Sequence, residues 1–405
     1  MARPKPILAV VSPFIDKRHG TERRVAEWTS RLTRDYDVHV YSQRVEDLDL
    51  TALTWHRIPR IPGPHLVNFV WWLWANHAWR WWDRRFRGIS HDLVFTAGTN
   101  CLDADAISIH IVFAEFVRQV RPELSFGRNS IASWPRLIHR RLYYRLVQAL
   151  ERRLYVRPRA QLILIASKTQ EDLDRFYGKH EPFPVVYMGI DHATFNAQMR
   201  EARRGDARRE LGIADDRFAF LLVGNDWRKK GLFTLLDAMP LLADLPVMLL
   251  VAGSDETHSY QKQIQEAHLE DRVRFLPSRG DVGFYYAAAD AYTGPSLEDT
   301  FAQPPAEAMA CGLPVITTVT NGTAEIITNG ADGILLSEPS DARALAAAMR
   351  SLCVDRDLSR RLGESAARTA QQYTWDRNGE RFREIFARIL SRKEKSPAAA
   401  LRQES

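Results

Sequence analysis

Short apolar runs alternating with helical stretches, twice over, constrain this chain more than any other feature. The first half carries ILAVV (7–11), DVHVY (37–41), DLVFT (92–96), AISIHIV (106–112) and QLILIA (161–166). The second carries FAFLLVG (218–224), VMLLVAG (247–253), VRFLP (273–277), AYTGP (291–295), PVITT (314–318) and GILLS (333–337). Runs this short and apolar on both faces read as strands buried between layers, and strands separated by helices pair in parallel. The expected fold is therefore α/β, with two doubly wound, Rossmann-like domains, and 405 residues are enough for two. The segment EPFPVVYMGIDHATF (181–195), with two prolines and a glycine, marks the boundary. The expected domains are 1–185 and 190–372, with the helical pattern 375–390 packing back on the first and a disordered tail over 391–405.

Composition removes several classes. The three cysteines, Cys101, Cys311 and Cys353, are scattered, in neither a disulfide framework nor a metal-ligand spacing, and suit a reducing compartment. The apolar run at Ile7–Val11 is too short for a signal-peptide core, and no stretch is long and apolar enough to span a membrane. Charge is uneven: residues 1–190 hold 29 Lys/Arg against 19 Asp/Glu, and residues 191–405 hold 27 against 31. A basic first half points to an anionic partner.

The richest segment is PSLEDTFAQPPAEAMACGLPVITTVTNGTAEIITNGADGILL (295–336). It reads as a strand end, a loop and a helix, with Asp299 and Glu307 eight positions apart and Glu307 in the first helical turn. Pro304 and Pro305 suit a helix start, where missing N–H groups cost little, and Gly312 suits its stop. A loop leading into a helix at a strand's carboxyl end is where open α/β sheets take phosphorylated ligands. A second constellation is LLVGNDWRKKGLFTLLDAM (221–239): the strand ends at Gly224, and Arg228, Lys229 and Lys230 precede a helix begun at Gly231. That loop offers cations and N–H groups to a diphosphate, or it is a solvated turn. Gly253 ends a third strand.

In the first half, Gly20 sits in the loop after the first strand, where it allows close approach of a ligand or an ordinary tight turn. His110 stands at a strand end, either a ligand contact or a satisfied structural residue, and Gly98 ends the preceding strand. HLVNFVWWLWANHAWRWWDRRFRG (65–88) holds six Trp and four Arg. Such a segment suits the boundary of an anionic bilayer through residues 71–87, with a second basic helix at 135–159; alternatively its aromatics fill the core. No nucleic-acid motif accompanies the basic residues, so nucleic acid is not expected.

The pattern of residues 295–336, with the cationic loop before it, resembles the retaining glycosyltransferases of family four, which have the GT-B fold of two Rossmann-like domains facing a central cleft. Within that family it is similar to the glucosyltransferase of the lipopolysaccharide core. The likeness covers most of 195–376 and extends less clearly through the first half. It departs in Asp299 for the usual Glu, Thr300-Phe301-Ala302 for Gly-Phe-Gly, Asn321-Gly322 for a Gly pair, Asn225 for Arg and His19-Gly20 for Gly-Gly.

The resemblance implies transfer of a hexose, with retention, from a nucleotide-diphosphate sugar such as UDP-hexose. The acceptor would be a glycan or lipid-linked molecule at the inner face of the plasma membrane, with the protein cytoplasmic and peripheral. No metal or other cofactor is expected. The resemblance assigns Lys230, Asp299, Glu307 and His110 to catalysis. It assigns donor binding to Gly20, Gly224, Asn225, Arg228, Gly253, Arg279, Thr300, Phe301, Ala302 and Gln303. Two other classes stay open: a catalytically silent sugar-nucleotide scaffold and a GT-B epimerase.

Overall fold

The computed structural model describes residues 5–17, 20–128 and 130–395. The chain divides at Tyr187/Met188 and again at Thr374/Trp375 into two compact units.

The first unit holds β1 (Ile7–Val11), β2 (Phe14–Ile15), β3 (Asp37–Ser42), β4 (Arg44–Val45), β5 (Thr54–Arg57), β6 (Leu93–Ala97), β7 (Ala106–Ile109) and β8 (Gln161–Leu164). Its helices are α1 (Gly20–Leu32), α2 (His65–Phe86), α3 (Phe113–Val120), α4 (Trp134–Tyr155) and α5 (Lys168–Tyr177). Six strands form one parallel sheet in the order β5-β3-β1-β6-β7-β8, and β2 pairs with β4. The order is that of a dinucleotide-binding half-and-half sheet, reversing direction beside β1. The central strands are buried along their length apart from the half-buried Ile7, which explains their largely apolar sequence. TWHR, which forms β5, carries no such run because it lies at the sheet edge with only His56 buried.

The last helix, α13 (Trp375–Glu394), belongs to this unit. Phe382 and Phe386 pack on Trp28 of α1 and Phe95 of β6, with ring centroids 4.6–5.5 Å apart. The helix continues four residues into the stretch expected to be a tail. Its final turn is held by Lys393, which reaches Asp105 Oδ1 at 2.7 Å and the Asp92 carbonyl at 2.8 Å. Residues 396–405 of that expected tail lie outside the described residues.

The second unit holds β9 (Phe218–Val223), β10 (Val247–Ala252), β11 (Val273–Leu276), β12 (Ala291–Gly294), β13 (Val315–Thr318) and β14 (Ile334–Leu336). Its helices are α6 (Ala197–Glu210), α7 (Leu232–Ala238), α8 (His258–Glu266), α9 (Gly283–Ala288), α10 (Gln303–Ala310), α11 (Ala342–Val354) and α12 (Arg356–Ala370). The sheet is again parallel, in the order β11-β10-β9-β12-β13-β14. Its core gathers Phe218, Phe220, Leu222, Leu249 and Val251 beneath α7 and α11. Each such side chain, fully buried, contributes roughly 1.5–3 kcal/mol. Helix starts follow the sequence: Asn196 caps α6 through Met199 N–H, and Asp341 caps α11 through Arg343 and Ala344 N–H. Because β9 lies between β10 and β12, the loops following all three strands meet at one end of the sheet.

Candidate active site

The loop after β9 is packed against its neighbours so tightly that only glycine fits. Gly231, with φ of +83°, starts α7, and a Cβ there would stand 2.1 Å from the Pro295 carbonyl oxygen. A Cβ on Gly253, after β10, would meet the Gly224 carbonyl oxygen at 2.1 Å. Between these contacts, Leu297 N–H donates to the Lys229 carbonyl at 2.8 Å. Trp227 is buried under the loop, and its backbone N–H donates to Asp255 Oδ2 at 2.8 Å. Ser254 N–H donates to Asn225 Oδ1 at 2.9 Å, so Asn225 braces the loops where the family pattern has a cation.

This packing brings together two residues 69 positions apart in sequence. Lys230 lays its stem over Gly224, and its Nζ donates to Asp299 Oδ2 at 2.5 Å. Asp299 Oδ1 also accepts from Phe301 N–H at 3.1 Å, closing a turn of the Asx kind. Asn321 braces the same loop, its Oδ1 accepting from Ala302 N–H at 3.2 Å and Thr323 N–H at 3.1 Å. Thr300 and Gln303 are part-exposed, whereas Phe301 and Ala302 are buried, so their side chains serve packing and only their backbone faces the loop. Pro304 and Pro305 are the second and third residues of α10. They leave Gln303 as the one N–H donor among the first three helical residues, so this helix start is a poorer anion site than expected.

Glu307 requires a correction. Because α10 begins at Gln303, Glu307 is its fifth residue and lies in the second turn, not the first. It is 7% exposed, and its Oε2 accepts from Tyr286 OH at 3.0 Å. Burial, and then the Glu307 charge, hold the Tyr286 phenol well above its ordinary range, so it stays a donor. Burial also raises the Tyr292 phenol, with the charges of Asp299 and Glu307 adding to it. Cys311 is pushed up to about 12 by burial and then by Glu307, which makes it an inert thiol. Tyr286 was not among the residues expected at the site. Its signal was a tyrosine inside the apolar run FYYAAA, where a buried hydroxyl needs a partner.

The other expected residues have surroundings of their own. Arg228 is exposed beside Lys229, which pairs with Asp226 at 3.6 Å. Arg279 pairs with Glu210 at 3.1 Å and stacks on Phe284 at 3.8 Å, which ties it to α6 and α9. In the first unit, Gly20 is the first residue of α1, with nothing within 4 Å of where its Cβ would stand. His110 directly follows β7, is 8% exposed and packs edge-on against Trp28. Burial first, and Arg24 second, lower its pKa well below the usual histidine range, so the imidazole is neutral. Neither ring nitrogen has a hydrogen-bond partner among the described residues.

The structure also gathers His77, Cys101 and Asp103, whose ligand atoms lie within 4.8 Å of one another. Sequence spacing did not reveal this trio. Arg80 donates to Asp103 Oδ1 at 2.6 Å, to Asp103 Oδ2 at 3.1 Å and to Cys101 Sγ at 3.4 Å. A guanidinium thus sits where a metal would, and burial raises the Cys101 thiol to about 12, which opposes a thiolate ligand.

Comparison with known proteins bears on this geometry. Residues 203–369 match the family model of glycosyl transferases group 1. The D-inositol 3-phosphate glycosyltransferase of Corynebacterium urealyticum is 28% identical over 251 residues, 58% of this chain and 59% of that protein. The lipopolysaccharide glucosyltransferase WaaG of Escherichia coli K12 is 26% identical over 231 residues, 55% of this chain and 61% of it. The chain thus spans about three-fifths of the length of these curated relatives. The crystal structure of WaaG matches with a TM-score of 0.74 over 93% of this chain and 99% of that one, at 22% identity. Anabaena Alr3699/HepE, solved with UDP-glucose, gives 0.67 over 94% and 99%, at 18% identity. Likeness at such identities is one of fold. Within the second unit, residues 203–369 thus match the group 1 glycosyltransferase domain, and the chain is similar in fold to the GT-B glycosyltransferases.

Proposed function

We propose that this protein transfers a hexosyl group, with retention, from a nucleotide-diphosphate sugar to a glycan or lipid-linked acceptor at a membrane surface. The observation that carries the reading is the Lys230–Asp299 pair at the carboxyl ends of β9 and β12. Negative charge builds on the diphosphate as the sugar departs, and a preorganised ammonium stabilises it. Lys230 has three N–H donors; Asp299 fixes its direction through one, and the others are available for phosphate oxygens. Asn225 supplies no cation, so Arg228 is assigned the second charge. Glu307 grips donor hydroxyls, oriented by Tyr286. Loop N–H groups near Thr300 and Gln303 carry more of the phosphate binding than the proline-rich helix start. His110, neutral and unpartnered at both nitrogens, hydrogen-bonds a sugar hydroxyl rather than acting as a base. UDP-hexose is the assigned donor, in keeping with HepE's UDP-glucose complex. The reaction as read here runs without a metal.

The membrane reading rests on α2. Trp72 and Arg80 are buried and lock the helix, leaving Trp74 61%, Trp81 61%, Trp82 52% and Phe86 57% exposed beside Arg84 and Arg85. Arg87 pairs with the buried Asp83 at 3.1 Å. No helix of the described residues is long and apolar enough to cross a membrane, so contact would be interfacial.

The decisive experiment is turnover of labelled UDP-, GDP- and ADP-hexoses, with a thermal-shift panel of the same donors. Stabilisation by one of them with sugar release or transfer supports the reading. Stabilisation without turnover under any acceptor would leave a sugar-nucleotide scaffold, a reading that Asn225 in its bracing role favours. Sedimentation with anionic and neutral vesicles tests α2: equal binding to both, or none, would return its tryptophans to a protein interface.

A further inference from the structure

A second cluster of positive charge lies in the first unit, at the carboxyl end of the basic stretch 135–159. After α4 ends at Tyr155, the chain runs through Val156, Arg157, Pro158 and Arg159 into β8. Arg153, in the last turn of α4, joins Arg157 and Arg159 around a cavity of about 320 Å³. Leu102, Ala104 and Leu154 supply its apolar wall. Leu102 and Ala104 precede β7, and Arg157 and Arg159 precede β8, so the cavity opens at the amino ends of these strands. His110 stands at the opposite, carboxyl end of β7.

None of the three arginines has an ion pair or hydrogen bond within the described residues. The carboxylates nearest in sequence to the residues lining the cavity are committed elsewhere. Asp103 is held by Arg80 at 2.6 Å and His77 at 3.0 Å. Asp105 is held by Lys393 at 2.7 Å and by Val94 N–H at 2.8 Å. Glu151 is buried and accepts from the N–H groups of Phe113 and Ala114 and from Tyr177 OH. A helix dipole accounts for cations in the last turn of α4, such as Arg152 and Arg153. It does not account for Arg157 and Arg159, which lie two and four residues past the helix end, where the effect has faded. Pro158 between them stiffens the loop, so the guanidinium groups are carried on a short, constrained segment rather than a flexible one. Three guanidinium forks around one cavity repel each other unless an anion of high charge density joins them, and forked N–H pairs match phosphate oxygens.

We propose that this cavity is a binding site for a multiply charged phosphate group, carried either on a free polyphosphorylated molecule or on a lipid headgroup. The apolar wall of Leu102, Ala104 and Leu154 would lie against the carbon part of the ligand. The inference does not depend on the transferase reading.

The test is calorimetric titration of the full-length protein with inorganic tripolyphosphate. Wild type, an Arg153→Gln/Arg157→Gln/Arg159→Gln variant and Lys230→Ala are compared. The three arginines are exposed, so the triple variant is expected to melt with the wild type and to keep its donor turnover. The expected result is a binding phase that survives Lys230→Ala and weakens at least tenfold in the triple variant, with a smaller salt dependence. Sedimentation with phosphatidic acid in phosphatidylcholine vesicles then separates the sources. Retention of wild type but not the triple variant assigns a lipid headgroup, and equal retention of both assigns a free phosphate ligand. Wild-type affinity in the triple variant, or no phase beyond the one lost with Lys230, overturns the proposal.

Discussion

Gly231→Ala is the sharpest test of how the second unit positions its charged residues. The native φ of +83° is left-handed, which costs an alanine about 1–2 kcal/mol. The new methyl would also stand 2.1 Å from the Pro295 carbonyl oxygen and 2.8 Å from its carbonyl carbon. Both are backbone atoms, so the 295–299 loop must move, at the roughly 1–3 kcal/mol typical of overpacking. The sum, about 2–5 kcal/mol, is a large share of the 5–15 kcal/mol that holds a typical domain. In a unit of this size each kcal/mol lowers the melting temperature by about 2–4 °C. The same movement pulls Leu297 from the Lys229 carbonyl and Asp299 from Lys230, so the thermal shift given by a bound donor should shrink as well. Scanning calorimetry with and without donor reads both effects. Gly280→Ala is the control: nothing lies within 4 Å of its Cβ position, and its change should stay within about 0.5 kcal/mol. If Gly231→Ala melts with the wild type and keeps its donor shift, the claim that close loop packing sets the site is wrong.

Other outcomes follow from the same contacts. Lys230→Ala should lower kcat roughly a hundredfold while raising KM less, because its charge matters most as the diphosphate leaves; a pure KM effect would make it a ground-state binder. Glu307→Ala should cost at least tenfold in donor kcat/KM, and Tyr286→Phe should cost less, since it removes only the hydroxyl that orients the carboxylate; wild-type kinetics in both would void the role of Glu307. Asp299→Glu, although it restores the residue usual in the family, should lower kcat/KM, and a gain would contradict the loop geometry. Burial raises Glu151 to about 7, with its hydrogen bonds from Tyr177, Phe113 and Ala114 opposing. The folded state then binds more protons than the unfolded one between about pH 4.3 and 7, so stability should fall by up to roughly 3 kcal/mol as pH rises through that window. Urea unfolding should show this slope in wild type and a flatter one in Glu151→Gln.

Much of the fold was legible because buried parallel strands need apolar residues on both faces. Strands such as β9 and β10 could be read directly as FAFLLV and VMLLVA. The edge strand β5, TWHR, was not, because an edge half open to solvent imposes no such pattern. β7 stops at Ile109, although AISIHIV is apolar to Val112, because the chain leaves the ladder at His110. The site divides the same way. Both carboxylates and Lys230 could be picked out from local pattern. Their pairing could not, since it depends on β9 lying beside β12, a fact of topology. The tryptophans of α2 could be counted, but only helix phase decides that Trp72 is buried while Trp74 and Trp81 are exposed.

The shorter acid at position 299 is best understood through what its two oxygens do. Oδ1 reaches back to Phe301 N–H, two residues on, a turn that suits a side chain with one methylene. Oδ2 meets Lys230 across the loop. A glutamate would carry its carboxylate past the Phe301 amide and push into the space of the Lys230 ammonium. The turn and the ion pair therefore require the same side-chain length. The other departures in this loop fit that requirement: Ala302 is buried, and its N–H is held by Asn321, whose Oδ1 also takes Thr323 N–H. An Asn at 321, where the family pattern has glycine, thus fastens the loop from the far side. Asp299 and Asn321 pair as a parallel bridge, with Gly322 N–H donating to the Asp299 carbonyl at 2.9 Å. The substitutions that make this loop look atypical in sequence are mutually compensating in structure, and the ammonium they hold in place is the group to which the proposed function assigns leaving-group stabilisation.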